Sequence, residues 1–253
     1  MIRLLKCEFM KIRRCYIFLT ALAMTALAAA WSVYGNYGYD QLRLGWRMFL
    51  YQLPLVNTIF LPFMATITAS RLCSIEHKGN MLKQLCAVEK RGKLYDAKLI
   101  LGLAIMILAV LIMWCTAVLF GMYKGFWGEC PFDLYLLYLL FTLVPTIAIY
   151  IFQHTLSLVF KNQAVPFFTG IIGEFAGLFS MFLPQLPWLR QSLLWGHYGA
   201  LQFVGMYGWE KETRYSTVHF DLMPIDWKFF ALLIVLIFVM YFIGRLWFSR
   251  KEI

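Results

Sequence analysis

An all-α membrane protein with six transmembrane helices is predicted by three observations. Hydrophobic residues make up 62% of the chain and charged residues only 14%, which leaves too little polar surface for a water-soluble domain. The apolar residues gather into six runs, about 16–33, 49–70, 99–122, 134–160, 164–183 and 229–248, each close to the roughly 20 residues that cross a hydrocarbon layer as a helix. None alternates like a membrane β-barrel strand, and a spanning segment must satisfy its own backbone hydrogen bonds. No long soluble stretch and no internal repeat interrupts the pattern, so residues 1–253 are expected to form one transmembrane domain.

Ahead of the first span, Ile2, Leu5, Phe9 and Ile12 recur at helical spacing against Lys6, Lys11, Arg13 and Arg14. That pattern suits an amphipathic helix lying along lipid headgroups, although a basic flank that only fixes topology would use the same residues. The basic start and Ala-rich end of this region also resemble a signal peptide. Its apolar run exceeds the usual ~7 to 15 residues of a signal core, so a retained first span is expected.

Lys and Arg accumulate on the cytoplasmic side of membrane proteins. With both termini there, five precede the first span, seven fall in 71–98, and Lys161, Arg245, Arg250 and Lys251 bring that side to sixteen of 23. A multi-pass chain with both termini cytoplasmic is therefore expected. The net charge of +10 then reflects attraction to anionic lipid and not a nucleic-acid surface.

The second span is predicted to continue past the membrane to Gly79, suited to a left-handed helix end, with Asn80 capping a new helix. In that helix Met81, Leu82, Leu85 and Val88 form a short apolar stripe, with Lys83, Gln84 and Lys90 away from it. Barely three turns are marginal alone in water, so the stripe needs a groove. Two readings remain open on pattern alone: a basic loop resting on lipid, and a helix docked to a cytoplasmic protein. Glu76 either ties this corner to a nearby Lys or Arg or is a solvated charge at a helix end.

An amphipathic N-terminus, a second span ending in an acidic residue before Gly-Asn, a short amphipathic helix, and an Arg and a Lys opening the third span together resemble a type-2 ABC exporter permease. The resemblance runs over essentially the whole chain. It is nearest to the lantibiotic-immunity permeases of Gram-positive bacteria in Glu76, Asn80, Lys83, Leu85, Arg91, Tyr95 and Lys98, and departs at Val88, where that family often has Pro. It implies that the helix from Asn80 to about Glu89 is a coupling helix held by a separate ATP-binding subunit, present in two copies, with Lys161 on the one other inner turn able to reach it. It also implies a second permease, identical or sibling, in a bacterial plasma membrane. No G-x-x-x-x-G-K-[ST] loop is present, so no cofactor is expected on this chain; ATP and Mg would be used by the partner.

Asn57, Thr58, Thr66, Thr169 and Glu174 are candidates for the lining of a substrate path. Ser and Thr in spans commonly bond backbone or a neighbouring helix, whereas a mid-span carboxylate is expensive. Glu174 is expected to face a cavity or partner, the alternative being a structural hydrogen bond to a neighbouring helix. The segment 184–227 carries Trp188, Trp195, Tyr198 and Trp209 and is apolar enough to suggest a seventh span, but Arg190, Gln191, His197 and Gln202 interrupt it. A re-entrant or interfacial aromatic hairpin is expected on the outer face, either a cap that admits an amphipathic peptide or an ordinary aromatic belt.

Six cysteines and four histidines are scattered without C-x-x-C or ligand spacing, so neither disulfide nor metal is expected. Paired carboxylates, a Ser/His couple and H-E-x-x-H are absent from the spans, which argues against an intramembrane enzyme. The expected cargo is a lantibiotic or other antimicrobial peptide; export of lipid or drug, or a non-transporting sensor or scaffold, are the alternatives.

Overall fold

The computed structural model describes residues 1–35, 37–77, 81–183, 185–209 and 217–251. Helices α1 (Ile2–Arg14) and α2 (Ile17–Val33) meet at a bend of 63°, with Tyr16 at the corner in the left-handed region. Five further helices are each long and apolar enough to cross a membrane: α3 (Tyr39–His77), α5 (Arg91–Lys124), α6 (Phe132–Val159), α7 (Ala164–Met181) and α10 (Trp227–Arg250). Counting the bent pair as one span gives six. The short α4 (Met81–Val88) lies between α3 and α5.

Local chemistry sets several boundaries. Gly125 adopts φ 71° at the end of α5 and its N–H returns to the last carbonyls, the left-handed helix ending that glycine permits. The Asp226 side chain accepts from the Phe229 N–H at 2.9 Å and opens α10. The 39 residues of α3 extend the predicted span at both ends, giving a helix about 58 Å long. Its first turns are held by aromatic packing: Trp46 meets Phe126 and Tyr135 edge to face, and Gly45 lies so close to Phe126 that a Cβ would sit 2.4 Å from the ring.

The interior has two main parts. One, at the α4 end of the bundle, joins Ile12, Leu72, Leu82, Tyr95, Leu158 and Phe248; the other, towards the far end, joins Trp46, Phe126, Tyr135, Phe203, Phe220 and Phe230.

The segment after α7 forms α8 (Pro187–Ser192), a 3-10 turn (Leu194–Gly196) and α9 (His197–Ala200), with no helix of spanning length among the described residues of 188–209. Trp195 is buried against α7, where a Cβ on Gly173 would lie 2.4 Å from the indole. Arg190 donates to the carbonyls of Ser180 and Met181 at 3.0 and 3.3 Å, and the Tyr198 hydroxyl lies 2.8 Å from that of Thr146. The chain is all-α in its long elements, as expected, and carries one short ribbon in which β1 (Val204–Tyr207) and β2 (His219–Leu222) pair antiparallel with Val204 opposite Leu222. Burial of Val204, Phe220 and the adjoining Phe203 and Val218 anchors the pair, and Arg47 of α3 donates to the Phe220 carbonyl at 3.0 Å.

Candidate functional site

At the α4 end, four charged side chains from three helices meet in a nearly dry cluster. Lys98 of α5 is fully buried and donates to Glu8 at 2.7 Å and to the Leu72 carbonyl at 3.1 Å, and its ammonium lies 3.0 Å from Glu76. Lys11 of α1 reaches Glu8 at 2.5 Å and Glu76 at 2.6 Å. Two carboxylates thus share two ammonium groups, which is how charges become tolerable away from water. Burial opposes ionisation of Glu8, but the nearby Lys98 charge and the bonds from Lys11 and Lys98 outweigh it and hold the carboxyl below its ordinary range. Burial likewise opposes the charge on Lys11, and its bonds to Glu76 and Glu8 prevail and raise its pKa. The cluster locks α1, the end of α3 and the start of α5 together.

Glu76 is therefore buried and paired with Lys11 and Lys98, not a solvated charge at a helix end. Glu8 was not singled out in the sequence, although Leu4, Glu8 and Ile12 share one helical face, and a lone acid on an apolar stripe of a basic helix is the signal that marks it.

The predicted corner at Gly79 and Asn80 lies outside the described residues. The stripe that follows does not act as one surface. Leu82 is buried in the chain's own interior and Leu85 packs against it, whereas Met81 and Val88 are exposed, Val88 at 84%. Lys83, Gln84 and Ala87 are also exposed. The expected single docking stripe is thus split between an inward edge and an outward face, because eight residues of helix laid on a bundle cannot bury one side without turning the other out. Lys161 is exposed on the turn between α6 and α7.

Beyond α4 the chain is clasped. Arg91 donates to the carbonyls of Ser249 and Lys251, and Lys251 to that of Val159. Asp96 accepts from Arg245 at 3.0 and 3.1 Å and from the Tyr241 hydroxyl at 2.9 Å. The last helix is thereby fastened to the residues directly after α4.

Three of the expected path residues are buried inside the bundle. Asn57 is buried and donates to Tyr138 at 2.6 Å and Thr142 at 3.3 Å. Thr58 and Thr66 are buried and return their hydroxyls to the carbonyls of Pro54 and Pro62. Asn57 thus ties α3 to α6, and the two threonines bond carbonyls one turn back in α3. Thr169 is half-buried and bonds its own helix at Val165. Glu174 is half-buried, and its Oε2 has no hydrogen-bond partner among the described residues. Of the aromatic cap, Trp195 and Tyr198 pin the interior and only Trp188 and Trp209 are exposed.

No curated protein matches the chain significantly. Residues 4–177 match the family described as ABC-2 family transporter protein, a stretch that takes in most of α1, all of α2 to α6 and most of α7, and includes the charge cluster and α4. With that match over more than half its length, the chain belongs to the ABC-2 transporter family, as a membrane permease that has no ATPase site of its own.

Proposed function

We propose that this permease serves an exporter driven by a separate ATP-binding subunit, in two copies, and that α4 is the coupling helix which that subunit grips. The observation that carries the reading is the outward face of α4: Met81 and Val88 stand exposed beside Lys83 and Gln84, while the opposite edge is seated on the bundle beside the cluster. A helix held this way transmits a push instead of yielding to it, since α1, α3 and α5 are joined directly behind it. Arg91 and Lys161 belong to the same end, which is cytoplasmic in this reading, as are both termini.

A second permease, identical or sibling, completes the route. The uncovered Phe168, Ile172, Phe175 and Phe179 of α7 and the half-satisfied Glu174 beside them support an intramembrane partner. The cargo is an amphipathic antimicrobial peptide of the lantibiotic type, exported for self-protection or resistance. The likeness of residues 76–98 to lantibiotic-immunity permeases and the exposed Trp188 and Trp209 support it.

Affinity purification of the chain from its native membrane, with ATPase activity read in the eluate, tests the coupling role. Met81→Asp with Val88→Asp is expected to reduce the co-purified ATPase at least about tenfold, because a charge in an apolar contact forfeits the buried side chain and adds a desolvation cost. Leu82→Asp should instead lower the yield of folded permease, and Lys90→Gln with Lys93→Gln should do little. Full ATPase recovery with the Met81/Val88 variant would refute the assignment of α4.

A further inference from the structure

We infer that the groove beneath the α1–α2 bend is a binding site for one acyl chain of an anionic phospholipid, with the lipid phosphate held by Arg13. The groove is a cavity of about 400 Å³ between α1, α2 and α5, within the size range of sites that enclose a small ligand. Ile12, Leu19, Leu101, Ile105 and Leu108 make its walls apolar, and Arg13 brings the one charge to its lining. Arg13 is exposed and has no ion pair or hydrogen bond among the described residues. The nearest acid on its own helix, Glu8, is already committed to Lys11 and Lys98.

Polarity along the groove matches a phospholipid end to end. The 63° bend falls where the basic run ending at Arg14 gives way to the apolar run from Ile17, which is the depth of the headgroups in a membrane-spanning chain. From there the groove descends beside α5 past Leu101, Ile105 and Leu108, one helical turn at a time, as an acyl chain would. A guanidinium presents paired N–H donors that suit a phosphate, and Arg14 next to it adds charge of the same sign, so the complementary headgroup is anionic. A lipid seated there would brace the face of α1 adjoining the one that carries Glu8 into the charge cluster.

Native mass spectrometry of the purified chain, incubated with equal phosphatidylglycerol and phosphatidylcholine of matched acyl length, tests the site. Phosphatidylglycerol is expected to be retained in preference. Arg13→Gln should lower its retention roughly tenfold through loss of a charge-assisted bond, while Arg14→Gln, the same charge change off the groove lining, should stay within about twofold. Ala104→Trp fills the groove from α5 and Leu19→Trp from α2, so either should abolish retention of both lipids, and the test does not hang on the folding of one variant. Equal loss in the Arg13 and Arg14 variants would mean diffuse attraction to basic residues and overturn the site. So would equal retention of the two lipids by the unaltered protein, or undiminished phosphatidylglycerol in both Trp variants.

Discussion

Replacement of Lys98 by Met removes one of the two cations that the buried carboxylates share. Lys98 faces Glu8 at 2.7 Å, Glu76 at 3.0 Å and the Leu72 carbonyl at 3.1 Å, and none of these contacts has water to substitute for it at a site this buried. Lys11 alone would then face two carboxylates, one in excess. Removing one member of a buried ion pair costs about 3–5 kcal/mol, chiefly because the remaining charge is left uncompensated. At roughly 2–4 °C per kcal/mol for a chain of this size, the unfolding temperature in detergent should fall on the order of 10 °C. Glu8→Leu combined with Lys98→Met removes one charge of each sign and leaves Lys11 paired with Glu76. That double variant should recover most of the loss, since an apolar replacement of a whole buried pair is often neutral or stabilising. Thermal unfolding of the two single variants and the double, followed by size-exclusion recovery, gives the coupling energy directly. Additive losses in the double variant, or a shift of under about 1 °C for Lys98→Met, would refute the reading of these four groups as one neutralised cluster.

The pH dependence has a definite sign. Glu8 titrates below its ordinary range in the folded chain, so its contribution is present above that range and is lost as pH falls through the lowered value; thermal scans at descending pH should show a decline that Glu8→Gln flattens. Gly173→Ala should destabilise by about 1–3 kcal/mol through overpacking on Trp195, measurable as a lower unfolding temperature. Glu174→Gln should leave the assembled complex intact and reduce transport in a reconstituted protection or efflux assay; unchanged transport at equal expression would make the carboxylate incidental. In a cysteine-free background, an impermeant maleimide should label Glu129→Cys from outside cells and spare Lys90→Cys and Lys251→Cys, and the opposite pattern would reverse the orientation.

Span positions were legible in the sequence because about 20 contiguous apolar residues leave a signal that needs no tertiary knowledge, and α2, α5, α6, α7 and α10 fall within a few residues of expectation except where α5 begins earlier. The early start of α3 was not legible: residues 39–48 owe their helix to Phe126 and Tyr135, which lie some 80 positions away in the chain. The same distance hid the partner of Glu8. Its place on an apolar face marked it as unusual, but only folding brings Lys98 to it. Polar residues in the spans left two uses open. Asn57, Thr58 and Thr66 were weighed as a lining against backbone or interhelix bonding, and the second use is the one each makes: Asn57 bonds Tyr138 and the two threonines bond carbonyls one turn back in α3. The strands at 204–207 and 219–222 were masked by an aromatic-rich composition that suggests interface more strongly than alternation suggests sheet.

The clasp between Arg91 and the carbonyls of Ser249 and Lys251 bears on the order in which the protein is made. A ribosome delivers α3, α4 and α5 long before α10, so during synthesis the corner after α4 has a cation without its acceptors, and Asp96 lacks both Arg245 and Tyr241. Those bonds close only when α10 has entered the bilayer and Lys251 has reached the Val159 carbonyl. The surface that carries Met81 and Val88 thus gains its last fastenings when α10 arrives, while the charge cluster of α1, α3 and α5 is already complete in the chain made before it.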